Sequence, residues 1–228
     1  MKRVSTPELL DSDACPASEV DLSLHDLCRV NRWFGGVATT RALIERVAHK
    51  TGAQRFSLLE VASGSGDLPR IVAQHLAQRG IQLDITLLDN VRSHLGSRVD
   101  HASRALVADA LALPFRDGQY DLVSCNLFAH HLEPDALARF ANEAVRVSRR
   151  AVLINDLVRH PLHLALVYAG FPLLRSPISR YDGVASVKRA YIPDEILEIL
   201  SSNVPGVRPQ QIEISRHYLF RMGVIVWK

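Results

Sequence analysis

Residues 56–68 read Phe-Ser-Leu-Leu-Glu-Val-Ala-Ser-Gly-Ser-Gly-Asp-Leu, and no other stretch restricts the fold so tightly. A short apolar run ends in an acid, a loop of small residues follows, and an amphipathic pattern begins. Leu68, Ile71, Val72, His75 and Leu76 fall at i, i+3, i+4, i+7 and i+8, the spacing of one helix face. Asp67 is the expected N-cap, Pro69 suits the first turn, and Gly80 supplies a stop. The segment is therefore a strand–loop–helix unit whose glycines let a ligand approach the backbone closely. It is not a dinucleotide fingerprint. The third glycine of G-x-G-x-x-G would fall on Pro69, which cannot give the close helix–strand packing that glycine provides.

A chain of 228 residues fits one large α/β domain with a small helical appendage, and 47% apolar residues suffice for its core. The formal charge of +3 is small, and the densest basic cluster, Arg146, Arg149 and Arg150, ends an expected helix, where it favours the helix dipole. No nucleic-acid patch is implied. Cys15, Cys28 and Cys125 are few and widely spaced, as expected of reduced thiols in a cytoplasmic protein. Neither a CxxC pair nor an HExxH sequence occurs, so no metal is expected. Met1-Lys2-Arg3 leads into no apolar run, which argues against a secretory signal. The stretch Leu162 to Leu174 contains Pro172 and is too short to span a bilayer, so no membrane insertion is expected.

The first 20 or so residues read as loosely ordered. Leu22 to Ala48 reads as two helices broken at Gly35-Gly36, with Trp33 and Phe34 either covering a ligand pocket or packing the helices onto the sheet. Strands are expected at Phe56–Val61, Leu83–Leu88, Ala105–Val107, Tyr120–Cys125 and Ala151–Asn155, with helices at Asp67–Arg79 and Pro134–Val147. Such alternation implies parallel βαβ units and a doubly wound, Rossmann-like sheet. Gln211–Ser215 and Phe220–Trp227 would close it with a hairpin that inserts one antiparallel strand, which a plain dinucleotide-binding domain does not require.

Glu60, Ala62, Gly64 and Gly66 together resemble the first motif of class I S-adenosylmethionine-dependent methyltransferases, an acid followed by x-G-x-G-x-G. Ala62 stands where the family has its first glycine, a methyl tolerated if φ stays below zero. The resemblance spans roughly residues 50–228 and implies a mostly parallel seven-stranded sheet with an antiparallel terminal strand and a helical N-terminal cap (1–50). It implies S-adenosylmethionine as cofactor and S-adenosylhomocysteine as product. Asp89, with Asn90 beside it, would take the ribose hydroxyls, a role suited to a carboxylate with several lone pairs. Asp109 and Ala110 would contact the adenine, and Asn126 would lie near the methionine portion.

His130 and His131 follow the fourth strand at the expected mouth of the site. Histidine titrates near neutral pH, so either could serve as a general base. The alternative is that one packs beneath the cofactor while the other caps the following helix. His160 and His163 flank a helix start and read as surface or pocket residues rather than metal ligands. An insertion at about 158–190, rich in Leu, Val, Tyr and Phe, would build a pocket for an apolar or aromatic acceptor. Asn31-Arg32-Trp33-Phe34-Gly35-Gly36, the His pair, Asn155-Asp156-Leu157 and Arg180-Tyr181-Asp182-Gly183 with Ser186-Val187 look similar to bacterial methyltransferases of quinone and polyketide pathways. The expected activity is in-line methyl transfer to a phenol, quinol or polyketide-like acceptor, on oxygen or carbon, by a monomer or homodimer. Two rivals are a non-catalytic cofactor-binding protein of the same fold and an NAD-dependent oxidoreductase, the latter disfavoured by Pro69 and the terminal hairpin.

Overall fold

The structure, a computed structural model, describes residues 1–11, 15–95 and 104–228. Two helices, α1 (Ala17–Trp33) and α2 (Gly36–Thr51), precede β1 (Arg55–Val61). Then come α3 (Asp67–Ala77), β2 (Gln82–Asp89), the short α4 (Arg92–Leu95), β3 (Arg104–Val107), β4 (Tyr120–Asn126) and α5 (Pro134–Val147). The chain continues through β5 (Ser148–Leu157), α6 (Pro161–Ala169), α7 (Pro177–Arg189), α8 (Pro193–Asn203), β6 (Ile212–His217) and β7 (Arg221–Trp227).

The seven strands lie in the order β3-β2-β1-β4-β5-β7-β6. β7 runs antiparallel to both β5 and β6, and the pairings from β3 to β5 are parallel. This is the expected Rossmann-like sheet with one inserted antiparallel strand. Strand order reverses between β1 and β4, so their carboxyl ends flank the crevice where open α/β sheets bind ligands.

Both faces of the sheet are covered, and neighbouring strand residues serve opposite cores. Leu58 packs with Ile44 and Val47 of α2 and Val72 and Leu76 of α3. Leu59 packs on the other side with Leu137 and Phe140 of α5 and Ile196 and Leu200 of α8. The stripe expected on α3 is buried at Ile71, Val72 and Leu76, whereas His75 faces solvent. Asp67 is not the N-cap. Gly66, at φ 70°, holds that position, and Asp67 opens the helix with its carboxylate on the Ser65 hydroxyl at 2.9 Å and on Arg70. A left-handed turn is open to glycine without a Cβ clash, which is why the cap falls there.

The expectation of a loosely ordered N-terminus is corrected over residues 1–10; residues 12–14 lie outside the described residues. Arg3 donates to the carbonyls of Leu132 (2.9 Å) and Arg189 (2.7 Å) and pairs with Glu133 at 2.7 Å. The Val4 amide donates to the Lys188 carbonyl at 3.1 Å, and the Leu9 amide to the Asp182 carboxylate at 2.7 Å. Polar backbone bonding, invisible to a reading of apolar periodicity, holds this segment across α7.

Candidate active site

The glycine loop begins where β1 ends. Ala62 has φ 54°, so the condition placed on its methyl is not met, and the family's glycine is replaced by a residue in the left-handed region. At the end of β4, Leu127 has φ 53°. Left-handed non-glycine residues cost about 1–3 kcal/mol and gather at functional sites. Here the pair marks the two strand ends that flank the switch point. A Cβ built on Gly66 would push into the Leu87 side chain, and at φ 70° any side chain there would also strain the backbone. A Cβ on Gly64 would meet only Leu24 Cδ2, at 4.0 Å, so the loop opens onto free space there.

Asp89 closes β2 beside this loop. Its carboxylate accepts from the Gly64 amide at 2.8 Å and from the Val91 amide at 3.0 Å, with His94 Nδ1 at 3.5 Å. Burial would raise its pKa, but the His94 imidazole and the two amides outweigh that and hold it below the usual carboxylate range. An ionised carboxylate has about four acceptor positions, so lone pairs remain for two ribose hydroxyls. Asn90 is exposed beside it. Asp109 is exposed at the end of β3, its carboxylate accepting from the Leu111 amide at 2.8 Å, and Ala110 is buried behind it.

Glu60 differs in kind. It is 1% exposed and hydrogen-bonded by the Ser124 hydroxyl and by Asn126 Nδ2, the latter at 2.6 Å. Burial pushes its carboxyl up to about 7 despite these bonds. Asn126 Oδ1 accepts from Thr40 at 2.5 Å, and Asn155 Nδ2 donates to Thr40 at 2.9 Å. Fully buried Arg221 donates to Asn155 Oδ1 (3.3 Å), Asn31 Oδ1 (2.8 Å) and the Phe34 carbonyl (2.9 Å), and burial pulls its pKa down to about 10. One polar chain thus ties β1, β4, α2, β5, β7 and α1 beneath the crevice. Glu60 and Asn126 are members of it. Trp33 does not pack onto the sheet; it is 52% exposed, with the Arg29 guanidinium 4.8 Å from its ring centre.

The two adjacent histidines have separate fates. His130 is buried, with Nδ1 2.6 Å from Asp156 Oδ1 and Nε2 3.3 Å from Glu8 Oε1. Burial alone would lower its pKa; Asp156 and Glu8 overcome that and push it to about 10. Enclosed between these two carboxylates, His130 has almost no exposed edge. His131 is half-buried, with Nε2 3.6 Å from Glu8 Oε2 and its ring stacked near Phe128. His160 caps α6 through Nδ1, accepting from the Leu162 amide at 3.1 Å, and His163 Nδ1 lies 2.9 Å from the Val158 carbonyl.

Glu8, Asp156 and Arg221 are the site residues that sequence reasoning missed. Only Asp156 carried a signal, in Asn155-Asp156-Leu157. The other motif residues find partners in the same assembly: the Leu9 and Leu10 amides donate to Asp182, and Ser186 donates to Glu8 Oε1 at 2.8 Å. Across the outer face of α6 and α7 lies a cavity of ≈ 400 Å³ lined by Tyr168, Phe171, Tyr181 and Val184, with Arg180 and Lys188 as its cations. No helix among the described residues is long and apolar enough to cross a membrane.

Residues 59–154 match the family described as Methyltransferase domain. No curated protein sequence matches the chain. Among solved structures, an S-adenosylmethionine-dependent methyltransferase from Aquifex aeolicus is 15% identical, with TM-score 0.59, over 92% of this chain and 97% of that one. The plantazolicin methyltransferase BamL, solved with a desmethyl-plantazolicin analogue and S-adenosylhomocysteine, is 12% identical, with TM-score 0.67, over 91% and 90%. Human N-acetylserotonin methyltransferase, solved with S-adenosylmethionine, is 15% identical, with TM-score 0.65, over 98% of this chain and 63% of that one. The chain thus has the fold of these methyltransferases and matches the Methyltransferase domain family over residues 59–154.

Proposed function

We propose that this protein transfers a methyl group from S-adenosylmethionine to a small apolar or aromatic acceptor bearing an ionisable hydroxyl or its neighbouring carbon. The observation that carries the cofactor reading is Asp89, ionised and fixed by the Gly64 and Val91 amides beside an open glycine loop. The residues fit the cofactor. Asp89 would hold the ribose, Asp109 and Ala110 would face the adenine, and Gly64 would let the backbone come close to the nucleoside.

Bound S-adenosylmethionine supplies an electrophilic methyl on a sulfonium, ready for in-line displacement. The chain contributes orientation and a dry crevice, which are worth several orders of magnitude in rate when the reacting atoms are held within contact distance. Glu60 and Asn126 fix the floor of that crevice through their bonds to Ser124 and Thr40. His131 is the half-buried group suited to take a proton from the acceptor, with Glu8 beside Nε2 to orient the ring.

The Leu, Val, Tyr and Phe content of the insertion at about 158–190 supports an apolar or aromatic acceptor. The human and plantazolicin enzymes act on chemically different acceptors in the same architecture, so the acceptor has to be read from this chain's own insertion. Incubation with methyl-labelled cofactor and a panel of phenols, quinols and polyketide pyrones, scored by mass, is the test. A gain of one labelled methyl group on a panel member is expected. Calorimetric binding of the cofactor without label transfer to any of them would remove this acceptor class.

A further inference from the structure

Glu8, His130 and His131 each offer one ligating atom, and these atoms all lie within 4.8 Å of one another. It is the one such group of three found among the described residues. Three observations separate it from accidental crowding.

First, His130 Nδ1 lies 2.6 Å from Asp156 Oδ1. That carboxylate is itself fixed by the backbone amides of His130 (2.9 Å) and Leu157 (2.7 Å). A carboxylate held this way accepts from Nδ1–H and leaves Nε2 as the nitrogen available to a metal, as the partners of metal-ligating histidines do. Second, His130 Nε2 is buried and faces Glu8 Oε1 at 3.3 Å without a well-aligned hydrogen bond. A metal ion entering between them would displace the proton that the pair shares. Third, the spacing suits a metal. Ligands about 2 Å from a tetrahedral ion stand about 3.3 Å apart. Glu8 Oε1 stands 3.3 Å from His130 Nε2 and Glu8 Oε2 3.6 Å from His131 Nε2, so each imidazole has one carboxylate oxygen near that spacing.

Ser186 fixes the remaining freedom of Glu8 by donating to Oε1 at 2.8 Å.

We propose that Glu8, His130 and His131 bind a divalent transition-metal ion, with Asp156 and Ser186 orienting the ligands. Two imidazole nitrogens and a carboxylate favour zinc, cobalt(II) or iron(II) over magnesium or calcium, which prefer all-oxygen sets. Three protein ligands leave a position open for water or for an acceptor oxygen. Metal and proton compete for His131, so in metal-loaded protein the ion, not the imidazole, meets an acceptor hydroxyl. The ion also clamps the N-terminal segment, which carries Glu8, to the turn after β4.

The test uses the full chain, stripped with a chelator and dialysed, with neither methyl donor nor acceptor, so its failure would leave the methyl-transfer reading intact. Zinc chloride is titrated in by calorimetry, and cobalt(II) chloride is followed by its visible absorption. One equivalent of zinc is expected, together with cobalt bands of a low-symmetry site. Glu8→Gln and His131→Ala should each weaken zinc binding at least tenfold, and His160→Ala should leave it unchanged. Circular dichroism checks that each variant is folded, and Glu8→Gln decides the matter if the His131 variant is not. Absence of stoichiometric binding would overturn the proposal, as would equal affinity in folded Glu8→Gln.

Discussion

The donor side of the crevice and the acceptor side are built on different principles. On the donor side, the groups proposed for the cofactor come from consecutive residues at strand ends: the 62–66 loop, Asp89 and Asn90, Asp109 and Ala110. Backbone amides position them, and an apolar core lies behind. On the acceptor side, Glu8, His130, Asp156, Asp182 and Ser186 come from distant parts of the chain and are held by one another's side chains or by the N-terminal backbone. The first side is a property of the fold; the second is a property of this sequence on that fold. Stability and cofactor binding should therefore separate when each side is mutated.

The largest effect is expected on the acceptor side. Asp156→Ala leaves His130 facing Glu8 with its orienting carboxylate gone, and removing one member of a buried pair costs about 3–5 kcal/mol. Urea unfolding should show that loss, while cofactor affinity in the folded variant stays near that of the parent. A loss under about 1 kcal/mol would erase the contrast between the sides.

Next comes Glu60, beneath the crevice. Its carboxyl titrates at about 7 in the folded chain, against an ordinary 4.5. Between those values the folded chain keeps a proton that the unfolded chain has released, so stability falls as pH rises through that window and levels off above it. The fall is about 3 kcal/mol at most. Glu60→Gln should flatten this part of the profile, and an unchanged slope in urea midpoints between pH 5 and 7.5 would place the cause elsewhere.

Asp89→Ala should weaken S-adenosylmethionine binding at least tenfold, about 1.4 kcal/mol, by calorimetry. Undiminished affinity in the folded variant would take Asp89 out of the ribose site. The smallest effect belongs to Ala62→Gly. Relief of a left-handed alanine, less the extra freedom of glycine in the unfolded chain, should stabilise the protein by about 0.5–1 kcal/mol. A loss of stability instead would mean that the φ of 54° carries no strain.

The donor side was legible in the sequence because its determinants are local. A glycine loop, an acid after each of three strands and the alternation of apolar runs survive without tertiary information, and the terminal hairpin adds the seventh strand. The acceptor side was legible only as fragments. His130 and His131 stand together in the sequence, yet one is enclosed by Asp156 and Glu8 while the other keeps an exposed edge, a difference that depends on which way a single short turn faces. Glu8 carries no local pattern, and its partner Ser186 lies in α7. Arg221 reads as an ordinary strand residue, and only the approach of Asn31 and the Phe34 carbonyl makes it the buried centre of a network. Ala62 stands out in the sequence as a departure from glycine, but the sign of its φ is not legible there, because a one-residue torsion is set by the loop as a whole.

The docked N-terminal segment has a consequence for assembly. Residues 3–9 are synthesised long before the 177–189 helix that receives them, whereas every residue flanking the switch point has been made once the fourth strand is complete. A nascent chain could thus shape its nucleoside crevice early, yet residues 3–9 must wait for the 177–189 helix before they settle. Replacing Arg159, which donates to the Met1 carbonyl at 2.9 Å, would press on that later step and spare the earlier one.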